Sequence, residues 1–169
     1  MKLKFLFIIF LNFFFSNFSL ASKVAIIDFN YIINNSNTGK KIIDKLEKIN
    51  SENIDLLKNE QLLLVKERQE VEKKKNILSQ DELNNLITVL NDKFNKFNQK
   101  QEDMSGKFNE LRQIEITNFV KKINPIIEKF MIDNNIDMIL KKESIYISQT
   151  ENDITSELLK LVDINFDKQ

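Results

Sequence analysis

The sequence predicts a mainly α-helical chain with a small β body, in which a long antiparallel helical hairpin is inserted as a coiled-coil-like arm between N- and C-terminal body segments. Three observations carry that prediction. Only two Gly and one Pro occur in 169 residues, against about 7% and 5% in ordinary proteins, so helix breakers are scarce. Apolar residues recur at heptad spacing through the middle of the chain, as a two-helix seam requires. The short runs that read as strands lie near the two ends of the chain, bounded by turn residues.

At the N-terminus, Lys2 and Lys4 precede an apolar run from Phe5 to Phe15, and Ser19-Leu20-Ala21 places small residues three and one positions before a cut. This is the layout of a secretory signal peptide over residues 1–21, cleaved after Ala21. A membrane anchor needs about 20 apolar residues, and Asn12, Ser16 and Asn17 interrupt this run. The leader holds two lysines and no acid, so its removal takes the net charge from +0 to −2. Such a balance gives no basis for nucleic-acid binding, which needs clustered basic excess.

After the leader, Lys23 to Phe29 predicts one largely buried strand, and Asn34 to Gly39 supplies turn chemistry. Lys40 to Leu78 holds neither Gly nor Pro. Leu57, Leu64, Val71 and Leu78 repeat every seven residues there, with Ile42, Ile49, Leu56, Leu63 and Ile77 on the adjacent row. These predict a first long helix. Ser79-Gln80-Asp81-Glu82 matches a capping box, in which the serine hydroxyl and the glutamate carboxylate satisfy free amides at a helix start. A second helix therefore begins there and runs to about Lys122, with Leu83, Leu86, Leu90, Phe94, Phe97, Gln101, Met104, Phe108 and Leu111 on its stripe. Folding about Ser79 sets Leu64 near Phe94 and Phe97, and Ile49 near Phe108.

Pro125 predicts a break or kink, followed by a short helix from Ile126 to Asp133 and a stop at Asn134-Asn135. Asp137 to Leu140 and Ser144 to Ser148 predict two strands, both pairing with the first. Asn152-Asp153 caps a last helix whose apolar face is Ile154, Leu158, Leu161 and Val162. The body then comprises residues 22–39 and 124–169, and the arm residues 40–123. A body this small buries little core, and self-association is a usual remedy. Val24, Ile26, Met138, Ile139 and Ile145 are the candidate contacts.

The chain has no His and no Cys, which removes the usual metal ligands and thiol nucleophiles. No enzyme activity, cofactor or metal is expected. Thr38-Gly39-Lys40-Lys41 lacks both the upstream glycine and the Ser or Thr of a phosphate-binding loop. Helix capping accounts for Asp81 and Glu82, and Lys73-Lys74-Lys75 is a solvated face balanced by nearby acids.

Val24-Ala25-Ile26-Ile27-Asp28, Ile32-Ile33 and Ser36-Asn37-Thr38-Gly39-Lys40 together resemble the opening of the Skp (OmpH) family of periplasmic chaperones. Ile136-Asp137-Met138-Ile139-Leu140 resembles that family's late strand, and Asp153 to Leu159 its last helix. The resemblance implies a periplasmic homotrimer whose arms enclose a cavity and hold unfolded outer-membrane proteins without ATP. Well-known members are strongly basic, whereas this mature chain carries −2. That departure puts lipopolysaccharide or membrane contact in doubt and weakens long-range capture of acidic clients. The competing reading is an envelope adaptor that bridges one folded partner through the hairpin.

Each arm residue belongs either to the seam or to an outward surface. Leu57, Leu64, Phe94 and Phe108 fall on the facing stripes. Ile54, Leu62, Val65, Ile87 and Ile114 lie off them, and a two-helix arm has no third element to cover them. Those five are the candidate client-binding residues.

Overall fold

The structure, a computed structural model, describes residues 22–166. The leader and its cleavage after Ala21 lie outside these residues. Strand β1 (Val24–Ile27) leads into helix α1 (Phe29–Asn35). Helices α2 (Asn37–Lys74) and α3 (Gln80–Asp133) then form the hairpin, followed by β2 (Met138–Lys141) and α4 (Thr155–Phe166). The fold is therefore mainly helical with a small β body, as the sequence predicts, and among the described residues the sheet has two strands rather than three. At about 1.5 Å per residue, α2 is about 57 Å long and α3 about 81 Å.

The chain corners into the arm through the short helix α1 and the Ser36 junction rather than the turn expected at Asn34 to Gly39. The Asp28 carboxylate accepts from the Tyr31 amide at 2.8 Å and starts α1. Ser36, fully buried, ends α1 and caps α2 by accepting from the Gly39 amide at 3.1 Å. At the same helix start, the Asn37 amide donates to the Asp163 carboxylate of α4 at 2.8 Å. The C-terminal helix is thus tied to the root of the arm.

At the far end the capping box forms as its spacing predicts. The Ser79 hydroxyl accepts from the Glu82 amide, and the Ser79 amide donates to the Glu82 carboxylate at 3.0 Å. Hydrogen bonds from the Ser79 hydroxyl and amide hold the Glu82 carboxyl below its ordinary value.

Pro125 does not break the helix. α3 runs through it to Asp133, so the separate helix expected from Ile126 and the end expected near Lys122 are both corrected. A proline inside a helix costs about 3 kcal/mol. Phe119, Ile123 and Ile127, on the face of α3 that enters the core, are 2%, 0% and 8% exposed and offset that cost by burial. The helix stops at Asn134-Asn135, with Asn135 in the left-handed region at φ 51°, which Asn tolerates better than most residues.

The sheet is parallel, with Val24 opposite Met138 and Ile27 opposite Lys141. An antiparallel hairpin of two helices brings the chain back to permit this pairing. Residues 144–148 form no strand, contrary to expectation: Tyr146 and Ile147 are fully or largely exposed. On its other edge β1 instead bridges Ile26 to Asp153. Burial pushes the Asp153 carboxyl up, but hydrogen bonds from Lys142 and Thr155 outweigh it and hold the group below its ordinary value. Ile27, Ile32, Ile33, Phe119, Ile123, Ile127, Leu158 and Val162 make one core, where β1, α1, the end of α3 and α4 meet.

Candidate functional site: the surface of the helical arm

Three ion pairs cross between α2 and α3: Lys45–Glu115, Glu60–Lys100 and Glu67–Lys93. In each pair the two residue numbers add up to the same value. The helices therefore keep one antiparallel register over this whole span. That register places Leu64 between Phe94 and Phe97, and Leu64, Leu90 and Phe97 are the buried side chains of the outer arm.

Two helices cannot bury every apolar side chain they carry. Ile54, Leu62 and Val65 on α2, and Ile87 and Ile114 on α3, are all exposed, by 40% to 55%. Leu56 and Leu63, expected on a packed row, are exposed as well, and so is Leu86, expected on the seam of the second helix. Val89 joins them, a residue that sequence reasoning did not single out. Its signal was present, since it lies three residues from Leu86 and so on the same helix face. Most of these side chains lie in the outer half of the arm. Ile114, level with Leu46 in the common register, stands apart near the root.

The outer half also holds a groove of about 670 Å³ between the helices. Val71, Leu83, Ile87, Leu90 and Phe94 supply its apolar lining, and Arg68, Glu72, Lys75, Asn91 and Asn95 its polar lining. Volumes of this order suit a bulky side chain or a short peptide segment. Ile87 thus belongs both to the exposed set and to the groove. Leu83 and Phe94, read from the sequence as seam residues, are also accessible from it.

This strand–hairpin–strand–helix chain matches the family of outer membrane proteins described as OmpH-like over residues 23–162. The chain belongs to the OmpH-like family. No curated protein matches it. Among solved structures, a candidate outer membrane chaperone (OmpH-like) from Caulobacter crescentus CB15 is similar in fold. The TM-score is 0.73 at 20% identity, with 85% of each chain covered.

Charge on this OmpH-like arm is locally paired. Lys73 meets Glu70 at 2.7 Å, and Lys93 meets Glu67 at 2.6 Å. The Glu70 carboxyl is held below its ordinary value by the hydrogen bond and charge of Lys73. Among the described residues, no group of three or more His, Cys, Asp or Glu side chains could hold a metal ion.

In the body, the five candidate contact residues differ in availability. Ile26 is 4% exposed and already packed within the protomer, while Val24, Ile139 and Ile145 are half-buried. Met138 is exposed, and Ile132, Tyr146 and Ile147 are more so. These last three were not singled out in the sequence, because Tyr146 and Ile147 read as parts of a paired strand.

Proposed function

We propose that this OmpH-like protein is a periplasmic holdase that keeps unfolded outer-membrane β-barrel proteins soluble without ATP. The observation that carries the reading is the set of exposed aliphatic side chains along an arm that, among the described residues, has no third element to cover them. Unfolded barrel strands alternate apolar and polar residues and aggregate in water once their apolar sides meet. Scattered aliphatics beside paired charges grip such chains through many weak contacts, each easily released, whose sum gains from multivalency.

Three arms around one body would enclose a client in a cavity. The body supports trimer formation in two ways: β2 has one edge without a strand partner among the described residues, and Tyr146 and Ile147 project from the segment that follows it. An unpaired edge with apolar side chains beside it invites strand pairing with another chain. The Caulobacter crescentus protein, itself described as a candidate outer membrane chaperone, supports the same reading.

Diluting an unfolded barrel protein from urea, with and without the mature chain, tests the proposal. Light scatter falls in proportion to added protein, and added ATP changes nothing. Equal scatter with and without the protein would refute it.

A further inference from the structure

The two sides of the outer arm differ in chemistry. Between Gln80 and Lys107, the basic residues of α3 are Lys93, Lys96, Lys100 and Lys107, spaced by three, four and seven positions. At about 100° per residue, that spacing keeps them all on one side of the helix. Lys93 and Lys100 reach from that side to Glu67 and Glu60 of α2. Gln80, Asn84, Asn91, Asn95 and Asn98, spaced by four, seven, four and three, fall on the opposite side. There the row of amides meets the groove between the helices, which Asn91 and Asn95 line.

All five amide residues are exposed. The Gln80 side chain donates to that of Asn84 at 3.1 Å, whereas the side chains of Asn91, Asn95 and Asn98 bond to nothing among the described residues. The row holds no charge until Glu102, one turn beyond Asn98. A side-chain amide offers donors and an acceptor together, the same pair that each residue of a polypeptide main chain presents. The two also match in charge, since both are neutral. Asn91 and Asn95 stand about 6 Å apart along the helix axis. Along one edge of an extended chain, N–H and C=O groups recur every second residue, about 6.6 Å. Beside the row, Ile87 and Phe94 give the groove apolar surface for side chains. An anionic occupant would be drawn to the lysine side instead.

We propose that this row binds polypeptide main chain: Asn91, Asn95 and Asn98 exchange hydrogen bonds with an extended segment of unfolded protein whose side chains enter the groove. Every residue but proline presents the same N–H and C=O, so a grip of this kind does not depend on the client's sequence. The exposed aliphatics hold apolar side chains, and the amides hold the backbone between them. The inference rests on the holdase reading and names the part of the client that the outer arm recognises.

Two fluorescein-labelled peptides test it, each titrated with the mature chain and followed by anisotropy. One is a ten-residue peptide of alternating leucine and serine. The other has the same sequence with N-methyl groups on its six central residues, which removes donors from both edges and adds apolar surface. The wild-type chain binds the unmethylated peptide about tenfold more tightly, as the loss of one or two net hydrogen bonds implies. A triple variant, Asn91→Ala, Asn95→Ala, Asn98→Ala, keeps its helicity, because alanine is the better helix former. It binds the two peptides alike within about twofold. Lys96→Ala, Lys107→Ala, on the opposite side, keeps the wild-type preference. Equal binding of the two peptides by wild type, or no binding of either, would overturn the proposal, and so would a preference that survives in the triple variant. A changed assembled mass of the triple variant would overturn it too, by making the row an interface between copies of this chain. If the preference holds while the scattering assay fails, the holdase reading falls and the main-chain site stands.

Discussion

Gly39 approaches Ile33 so closely that a side-chain carbon on Gly39 would collide with the Ile33 carbonyl oxygen and come within 2.7 Å of the Ser36 hydroxyl. The corner between α1 and α2 is closed by this approach. Gly39→Ala must therefore displace backbone, and overpacking of this kind costs about 1–3 kcal/mol. Urea unfolding of the variant shows a lower midpoint, whereas Gly106→Ala, where the added carbon meets nothing within 4 Å, raises it by the equivalent of about 0.5–1 kcal/mol. Two Gly→Ala changes with opposite signs separate a required glycine from a permissive one.

The capping box predicts a measurable acid response. Glu82 has a lowered carboxyl pKa, so its contribution is fully present above its ordinary value. It is lost as the pH falls through the lowered value of the folded chain. Glu82→Gln removes that part of the acid dependence, seen as a shallower loss of helicity on acidification. Ser79→Ala removes the cap and costs about 0.5–2 kcal/mol, read by thermal unfolding at neutral pH.

Much of this architecture is legible in the sequence, because the arm obeys local rules. Ser79 and Glu82 announce a helix start three residues apart, and the stripe through Leu64 and Phe97 becomes the buried seam. Where tertiary packing overrides local preference, the sequence misleads. Pro125 reads as a break, yet buried Phe119, Ile123 and Ile127 hold the helix through it. Ser36 reads as part of a turn because a helix of seven residues leaves little periodicity, although Asp28 and Ser36 are both good caps. Residues 144–148 have strand composition but no strand partner among the described residues. For the arm surface, the five side chains named off the stripes are exposed, but Leu56, Leu63 and Leu86 show that a two-helix seam covers less than a heptad pattern implies.

The common register rests on ion pairs that can be exchanged. Lys100→Glu places a carboxylate opposite Glu60 and destabilises the arm, and adding Glu60→Lys restores most of the loss. Both side chains are more than a third exposed, so the coupling is below about 1 kcal/mol. A double-mutant cycle by urea unfolding measures it. Zero coupling would mean that this pair does not help to hold the register.

The exposed body segment predicts assembly. Sedimentation equilibrium of the mature chain gives three times the protomer mass, and a Tyr146→Ser, Ile147→Ser double variant shifts it toward the monomer with its helicity kept. A wild-type chain that is monomeric and folded at micromolar concentration contradicts the trimer. An undissociated double variant contradicts the placement of its interface.

The arm surface is most directly tested by replacing Ile54, Leu62, Val65, Ile87 and Ile114 together with Ser or Gln and repeating the scattering assay beside wild type. Full burial of one such side chain is worth about 1.5–3 kcal/mol, so single replacements lower protection modestly and the set lowers it strongly. Helicity and assembled mass stay unchanged, because all five are exposed. A five-residue variant that suppresses scatter as well as wild type, or one that unfolds, would contradict the assignment of client holding to this surface.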